Sequence, residues 1–136
     1  MVQRIRINIG CGQTPTQGWM NFDNSLSLRL ARVPFLPEFL VKLKLLESSQ
    51  YQFIRFAREN DIAYGDATKG LPPQDETVDV LYSSHMLEHL DRNEASMFLK
   101  EAFRVLRPGG VIRIAVPDLK KQVKKYNEEG DADAFI

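Results

Sequence analysis

Ile5, Ile7 and Ile9 alternate with polar residues and run directly into Gly10-Cys11-Gly12. Alternation of this kind marks a strand, and glycines placed straight after it permit a tight turn at positive φ. The same pattern recurs along the chain. Trp19 to Phe22 reads as a short strand closed by Asp23, and Ile62-Ala63-Tyr64 as a brief one that stops at Gly65-Asp66. Val78 to Ser83 is a mostly apolar, β-branched run, as expected of a central parallel strand covered on both faces. Val111 to Val116 is a fifth.

The segments between these runs have helical spacing. Leu26 to Asn60 reads as helical, with Pro37 in a first turn and Leu36, Phe39, Leu40, Leu43 and Leu46 as an apolar stripe. Ser48-Ser49 interrupts that stripe, and a second helix runs through Phe53, Ile54 and Ala57 to about Asn60. Leu71-Pro72-Pro73 is a rigid loop. Asp91 and Glu94 have capping-box spacing ahead of Ala95, Phe98, Leu99, Ala102, Phe103 and Leu106. Pro108-Gly109-Gly110 is expected to stop that helix, and Asp118 to Glu129 reads as a last amphipathic helix.

Strands separated by helices imply an α/β fold with a parallel sheet and right-handed crossovers. Such sheets bind ligands at the carboxyl ends of their strands, beside the topological switch point. Here those ends are Gly10-Cys11-Gly12, Asp23, Gly65-Asp66, Ser83-Ser84-His85 and Pro117-Asp118.

The 136 residues allow one domain with an ordinary core, and 43% hydrophobic with 26% charged residues is normal for a globular protein. Basic and acidic residues number 18 each, so net charge offers no reason to expect nucleic acid or anionic membrane as a partner. Lys120, Lys121, Lys124 and Lys125 cluster locally, in a spacing that suits a solvated helix face. The single Cys11 cannot form an internal disulfide, which suits a reducing compartment. No apolar run approaches a membrane span and no signal-peptide core opens the chain, so cytoplasm is the expected location.

Taken singly, the strand-end residues have ordinary explanations. Gly10 and Gly12 serve any tight strand-to-loop turn. Asp23 can accept hydrogen bonds from a ribose diol, or equally well cap the next helix. Asp66 could take the exocyclic amine of adenine, although Gly-Asp pairs are commonly turns. A dinucleotide site would place a third glycine at position 15; this chain has Pro15, which has no N–H to offer a pyrophosphate. His85, Glu88 and His89 raise the question of a metal, but no further partner supports one and none is expected. His85, at the tip of the fourth strand, is the candidate general base.

Read together, IGCG, the strand-end Asp23, GDA at Gly65 to Ala67, LPPQDETVDVLYSSHMLEHL and FRVLRPGGVIRIAVPD resemble the class I S-adenosylmethionine-dependent methyltransferases, in particular a methyltransferase type 11-like group with a "GW-N-D" strand, here Gly18 to Asp23. The resemblance spans nearly the whole chain except about 26–60. It implies a Rossmann-like parallel sheet of order 3-2-1-4-5, helices on both faces and a helical insertion after strand 2. It also implies S-adenosylmethionine as cofactor and methyl transfer to a small-molecule or sugar acceptor. By that resemblance Gly10, Cys11 and Gly12 border the methionine part, Asp23 holds the ribose, Gly65, Asp66 and Ala67 meet adenine, and Ser83, Ser84 and His85 line the sulfonium side.

Two departures stand out. Only Gln13 to Gly18 separates Gly12 from Trp19, where the family has a helix, so this wall must be a loop or single turn. The family sheet also has seven strands, against five here, so the domain over 1–136 looks truncated. The strand Val111 to Val116 would then be an apolar edge prone to self-association. Two other functions stay open: a nicotinamide-dependent oxidoreductase, disfavoured by Pro15, and a non-catalytic adenosine-binding module.

Overall fold

A computed structural model describes residues 4–130. Five parallel strands form one sheet in the order β3-β2-β1-β4-β5: β1 Arg6–Ile9, β2 Met20–Asp23, β3 Ile62–Tyr64, β4 Val78–Ser84 and β5 Leu106–Ala115. The expected order and the reversal beside β1 are therefore present. Helices α1 Leu26–Ala31, α2 Leu36–Lys42 and α3 Ser48–Glu59 lie between β2 and β3. Helix α4 Arg92–Val105 joins β4 to β5, and α5 Leu119–Glu129 follows. Among the described residues, no helix is long and apolar enough to cross a membrane.

Two apolar clusters hold the sheet. Ile7, Ile9, Phe22 and Leu81 pack with Phe98, Ala102 and Val105 of α4. Ile62, a register neighbour of Asn21 and so on the opposite face, packs with Leu28 of α1 and Ala57 of α3. Arg58 joins the insertion's pieces: it donates to the carbonyls of Ala31 (3.2 Å) and Val33 (3.3 Å) and pairs with Glu38 at 2.9 Å. The expected break between the two helices is present: α2 ends at Lys42 and α3 starts at Ser48, where Glu47 and Gln50 form a capping box. The stripe along α2 is not a buried face. Phe39 in α2 and Leu43 just after it are 57% and 51% exposed.

The missing crossover helix is replaced by side-chain hydrogen bonds. Buried Asn8 on β1 donates to the Thr14 carbonyl (3.1 Å) and to Thr16 Oγ1 (3.3 Å). Buried Asn21 on β2 accepts from the Thr16 amide at 2.8 Å and donates to the carbonyls of Thr16 and Trp19, both at 3.1 Å. The two asparagines thus satisfy the loop backbone that a helix would satisfy internally.

The largest difference from expectation lies at Pro108-Gly109-Gly110. These residues do not stop α4; they lie inside β5, which begins at Leu106 and ends at Ala115, leaving Val116 outside. The helix is ended earlier, by the amides of Glu76 and Thr77, which donate to the carbonyls of Arg104 and Val105 at 2.9 Å each. Pairing passes from Val78 opposite Leu106 to Val80 opposite Val111, so Arg107 to Gly110 form a bulge where proline is tolerated.

Candidate cofactor site

The expected site residues gather at the carboxyl end of the sheet. After β1 the chain turns sharply, and the amides of Gly10 and Cys11 both donate to the Phe22 carbonyl, at 2.8 and 3.1 Å. This turn needs glycine. Gly10 has φ +69°, and a Cβ there would lie 2.9 Å from Cγ of Met86. Gly12 has φ +50° and open space on its side-chain face. Its amide donates to Asp23 Oδ2 at 3.0 Å, while Asp23 Oδ1 accepts from the Ser25 amide at 2.9 Å. The Asp23 carbonyl accepts from the Gly65 amide at 3.0 Å. One residue therefore joins the glycine turn, the entry to α1 and the end of β3, although the N-cap of α1 itself is Ser25.

Asp66 is held in its own turn. Its Oδ1 accepts from the amide and hydroxyl of Thr68, at 3.0 and 2.7 Å, and its Oδ2 pairs with Lys69 at 2.9 Å. Burial works to raise its pKa, but the bonds from Thr68 and Lys69 outweigh it and keep the carboxyl below its usual range. Ala67 is buried in the main core. Cys11 turns into the second cluster, where burial, with the nearby Asp23 charge, pushes its thiol up to about 12. Such a thiol is an inert packing group.

On the opposite wall Ser83 pairs in register with Ile9, and Ser84 with Ala115. Ser83 is fully buried, and its Oγ has no hydrogen-bond partner among the described residues. His85 has φ +52°, a conformation that costs a non-glycine residue about 1–3 kcal/mol. Its amide donates to the Ala115 carbonyl at 3.0 Å, which fixes the β4 tip against β5. The imidazole is 66% exposed and its Nδ1 lies 3.3 Å from Glu88 Oε1. Glu88 and His89 sit on a 3-10 turn, Leu87–His89. Among the described residues no group of three or more His, Cys, Asp or Glu side chains could hold a metal ion.

Three features escaped sequence reasoning. Met86 covers Gly10, which spacing alone does not reveal. Tyr64 at the end of β3 is flanked by Arg29 and Arg32, whose guanidinium carbons lie 4.8 and 5.4 Å from its ring centre. Arg29 in α1 and Arg32 at its C-cap are three residues apart, a spacing that was a usable signal. The Asn8 and Asn21 clamp is the third. A cavity of about 610 Å³ over the outer face of α4, lined by Leu99 and Phe103 among others, lies on a different element from this rim.

A parallel 3-2-1-4-5 sheet, a glycine turn after β1 and a carboxylate at the end of β2 define the Rossmann-like, class I methyltransferase fold. Residues 7–114 match the family model described as a methyltransferase domain. The chain belongs to that family, of the class I, S-adenosylmethionine-dependent type. Over 58 residues it is 41% identical to a Mycolicibacterium smegmatis protein named as a probable S-adenosylmethionine-dependent methyltransferase, covering 43% of this chain and 21% of that one. In fold it is similar to a SAM-dependent methyltransferase from Archaeoglobus fulgidus, with TM-score 0.57 and 17% identity over 95% of this chain and 52% of the other. A Pyrococcus horikoshii protein gives TM-score 0.54 and 22% identity, covering 94% and 53%. The chain thus spans about half the length of these solved structures and a fifth of the curated relative.

Proposed function

We propose that this chain binds S-adenosylmethionine at the β1–β2–β3 rim and transfers its methyl group to a small-molecule or sugar acceptor. The observation that carries this reading is the joining of Gly12, Asp23 and Gly65 at one end of the sheet. The residues fit the group. The open face of Gly12 leaves room for close approach, and each Asp23 oxygen spends one lone-pair site on a backbone amide and keeps another for a ribose hydroxyl. Pro15 offers no amide to a pyrophosphate, which favours this ligand over NAD.

In the proposed arrangement Gly10, Cys11 and Gly12 border the methionine portion through their backbone, Asp23 holds the ribose, and Gly65 to Ala67 edge the adenine. Ser83 and Ser84 form the facing wall, with His85 at its open tip as the base. The bound cofactor supplies an activated methyl, so the protein's work is positioning and exclusion of water. The whole of 1–136 acts as one domain in this reading, with 26–60 inserted. A cytoplasmic setting suits the buried, unreactive Cys11. Self-association through β5 is part of the proposal, since Val111 and Ile112 on that edge are 56% and 38% exposed.

Calorimetry with S-adenosylhomocysteine, together with transfer of tritiated methyl to a panel of hydroxyl- and amine-bearing small molecules and sugars, tests the proposal. Binding without transfer to any of them would leave a non-catalytic adenosine-binding module.

A further inference from the structure

We propose that the insertion between β2 and β3 docks the protein on an anionic lipid surface. Phe35, Phe39 and Leu43 enter the boundary between headgroups and acyl chains, and Arg32, Lys42 and Lys44 meet lipid phosphates. The proposal does not depend on what the cofactor site binds.

The apolar part is a ridge. Phe35, Phe39 and Leu43 follow one another at intervals of four along α2 and its two flanking residues, and side chains so spaced share one helix face. Phe35 is 82% exposed, and Leu45 just beyond the ridge is 70% exposed. An exposed apolar row of this kind marks a surface that meets a partner. Phe35 stands immediately ahead of α2 at φ +64°, in the left-handed region that a bulky side chain enters only at a cost. That strain gains the ring little packing inside the chain, since the phenyl stays in water. It holds the ring outward.

The polar part is cationic. A net charge of zero conceals a local excess: from Leu26 to Leu45 the charged residues are Arg29, Arg32, Lys42 and Lys44 against Glu38 alone. Glu38 is already paired with Arg58 at 2.9 Å. Among the described residues neither Lys42 nor Lys44 pairs with a carboxylate. Lys42 lies seven positions after Phe35, close to two helical turns, so it belongs to the same face as the ridge. Arg32 and Phe35 also line one cleft of about 320 Å³, together with Arg58. Arg58 is committed to Ala31, Val33 and Glu38, whereas Arg32 spends one N–H on the Tyr64 carbonyl and keeps the rest of its fork for a phosphate.

The occupant follows from this pairing of ridge and charge. An apolar protein groove would take the rings and leave the lysines idle. A second copy in a symmetric pair would set the same cationic face against itself, and like charges repel. An anionic bilayer surface offers both halves over an extended area, apolar depth beneath a layer of phosphates.

Co-sedimentation of the full chain with vesicles of equal parts phosphatidylglycerol and phosphatidylcholine, against vesicles of phosphatidylcholine alone, tests this. We expect binding to the anionic vesicles to be about tenfold tighter or more, and to weaken as salt rises. Phe35→Ser with Phe39→Ser should weaken it by about tenfold or more through lost apolar burial. Lys42→Gln with Lys44→Gln should weaken it about fivefold per lysine. These side chains are exposed, so the melting temperatures of both variants should match the wild type. Lys120→Gln with Lys121→Gln, on the basic face of α5, should change binding by less than about twofold. Equal binding to both kinds of vesicle, or a loss that follows the α5 lysines instead of the ridge, overturns the proposal. Absence of vesicle binding overturns it as well, and self-association abolished by Phe35→Ser would then assign the ridge to a second copy.

Discussion

The Gly12 amide donates to Asp23 Oδ2 at 3.0 Å, tying the turn after β1 to the end of β2. Loss of that carboxylate removes the device that shapes the turn and, in the proposed function, the contact to the ribose. Asp23→Ala should therefore weaken S-adenosylhomocysteine binding more than His85→Ala does. A hydrogen bond to a charged group is worth roughly 1.5–3 kcal/mol, so one lost bond corresponds to at least a tenfold rise in Kd. The reverse ranking in calorimetric Kd values would show that the ribose lies elsewhere.

The glycines of the turn predict two different failures. Gly10→Ala drives a Cβ to 2.9 Å from Met86 at a positive φ, so it should lower Tm and disturb the wall beneath His85. Gly12→Ala meets no atom within 4 Å and carries only the φ +50° penalty, about 1 kcal/mol. Its larger effect should be on cofactor affinity, because the methyl group would enter the open space that the proposed function gives to the ligand. Thermal melts paired with calorimetry separate the two, and a larger Tm loss for Gly12→Ala would contradict the packing described here.

Much of this architecture was legible from pattern. The strand runs and their glycine or acidic ends are local signals, so β3 was read with its observed bounds and the sheet order followed from resemblance. What escaped depends on contacts distant in sequence. Nothing near Val105 announces that the amides of Glu76 and Thr77 will cap α4, so Pro108 was read as the breaker when it lies in a bulge. The α2 stripe was legible as a stripe, but periodicity cannot say whether anything packs on it. At the site, the residue types could be read; the partners could not. Asp66 turned inward to Thr68 and Lys69, and Ser83 sank into the wall.

Asp79 connects the sheet's opposite end. It accepts from the Ile5 amide at 2.8 Å and from Arg107 at 2.7 Å. The Arg107 bond, reinforced by Ile5, outweighs burial and holds its pKa below the ordinary 3.8. A depressed carboxyl contributes stability above its unfolded-state value and loses it as pH falls through the lower folded value. Asp79→Asn should thus be less stable than wild type at neutral pH, and the gap should close as pH drops below about 3.8. Urea melts across pH check this; a gap that is constant with pH would contradict it.

Arg104 anchors the 71–75 loop to α4. It donates to the carbonyls of Leu71 (2.9 Å) and Pro73 (3.2 Å) and pairs with Glu101 and Asp75. Arg104→Ala leaves the largely sheltered Glu101 carboxylate without its cation, and should lower stability by about 1–3 kcal/mol. An unchanged urea midpoint would mean that the loop is held by other contacts.

The central claim is that this rim takes a sulfur-bearing adenosine ligand rather than a dinucleotide. Titrating the purified chain with S-adenosylhomocysteine and with NAD in the same calorimeter tests it most directly. Saturable binding of S-adenosylhomocysteine, lost in Asp23→Ala, with no heat from NAD, is the predicted result. Binding of NAD with no response to S-adenosylhomocysteine or S-adenosylmethionine would contradict the account.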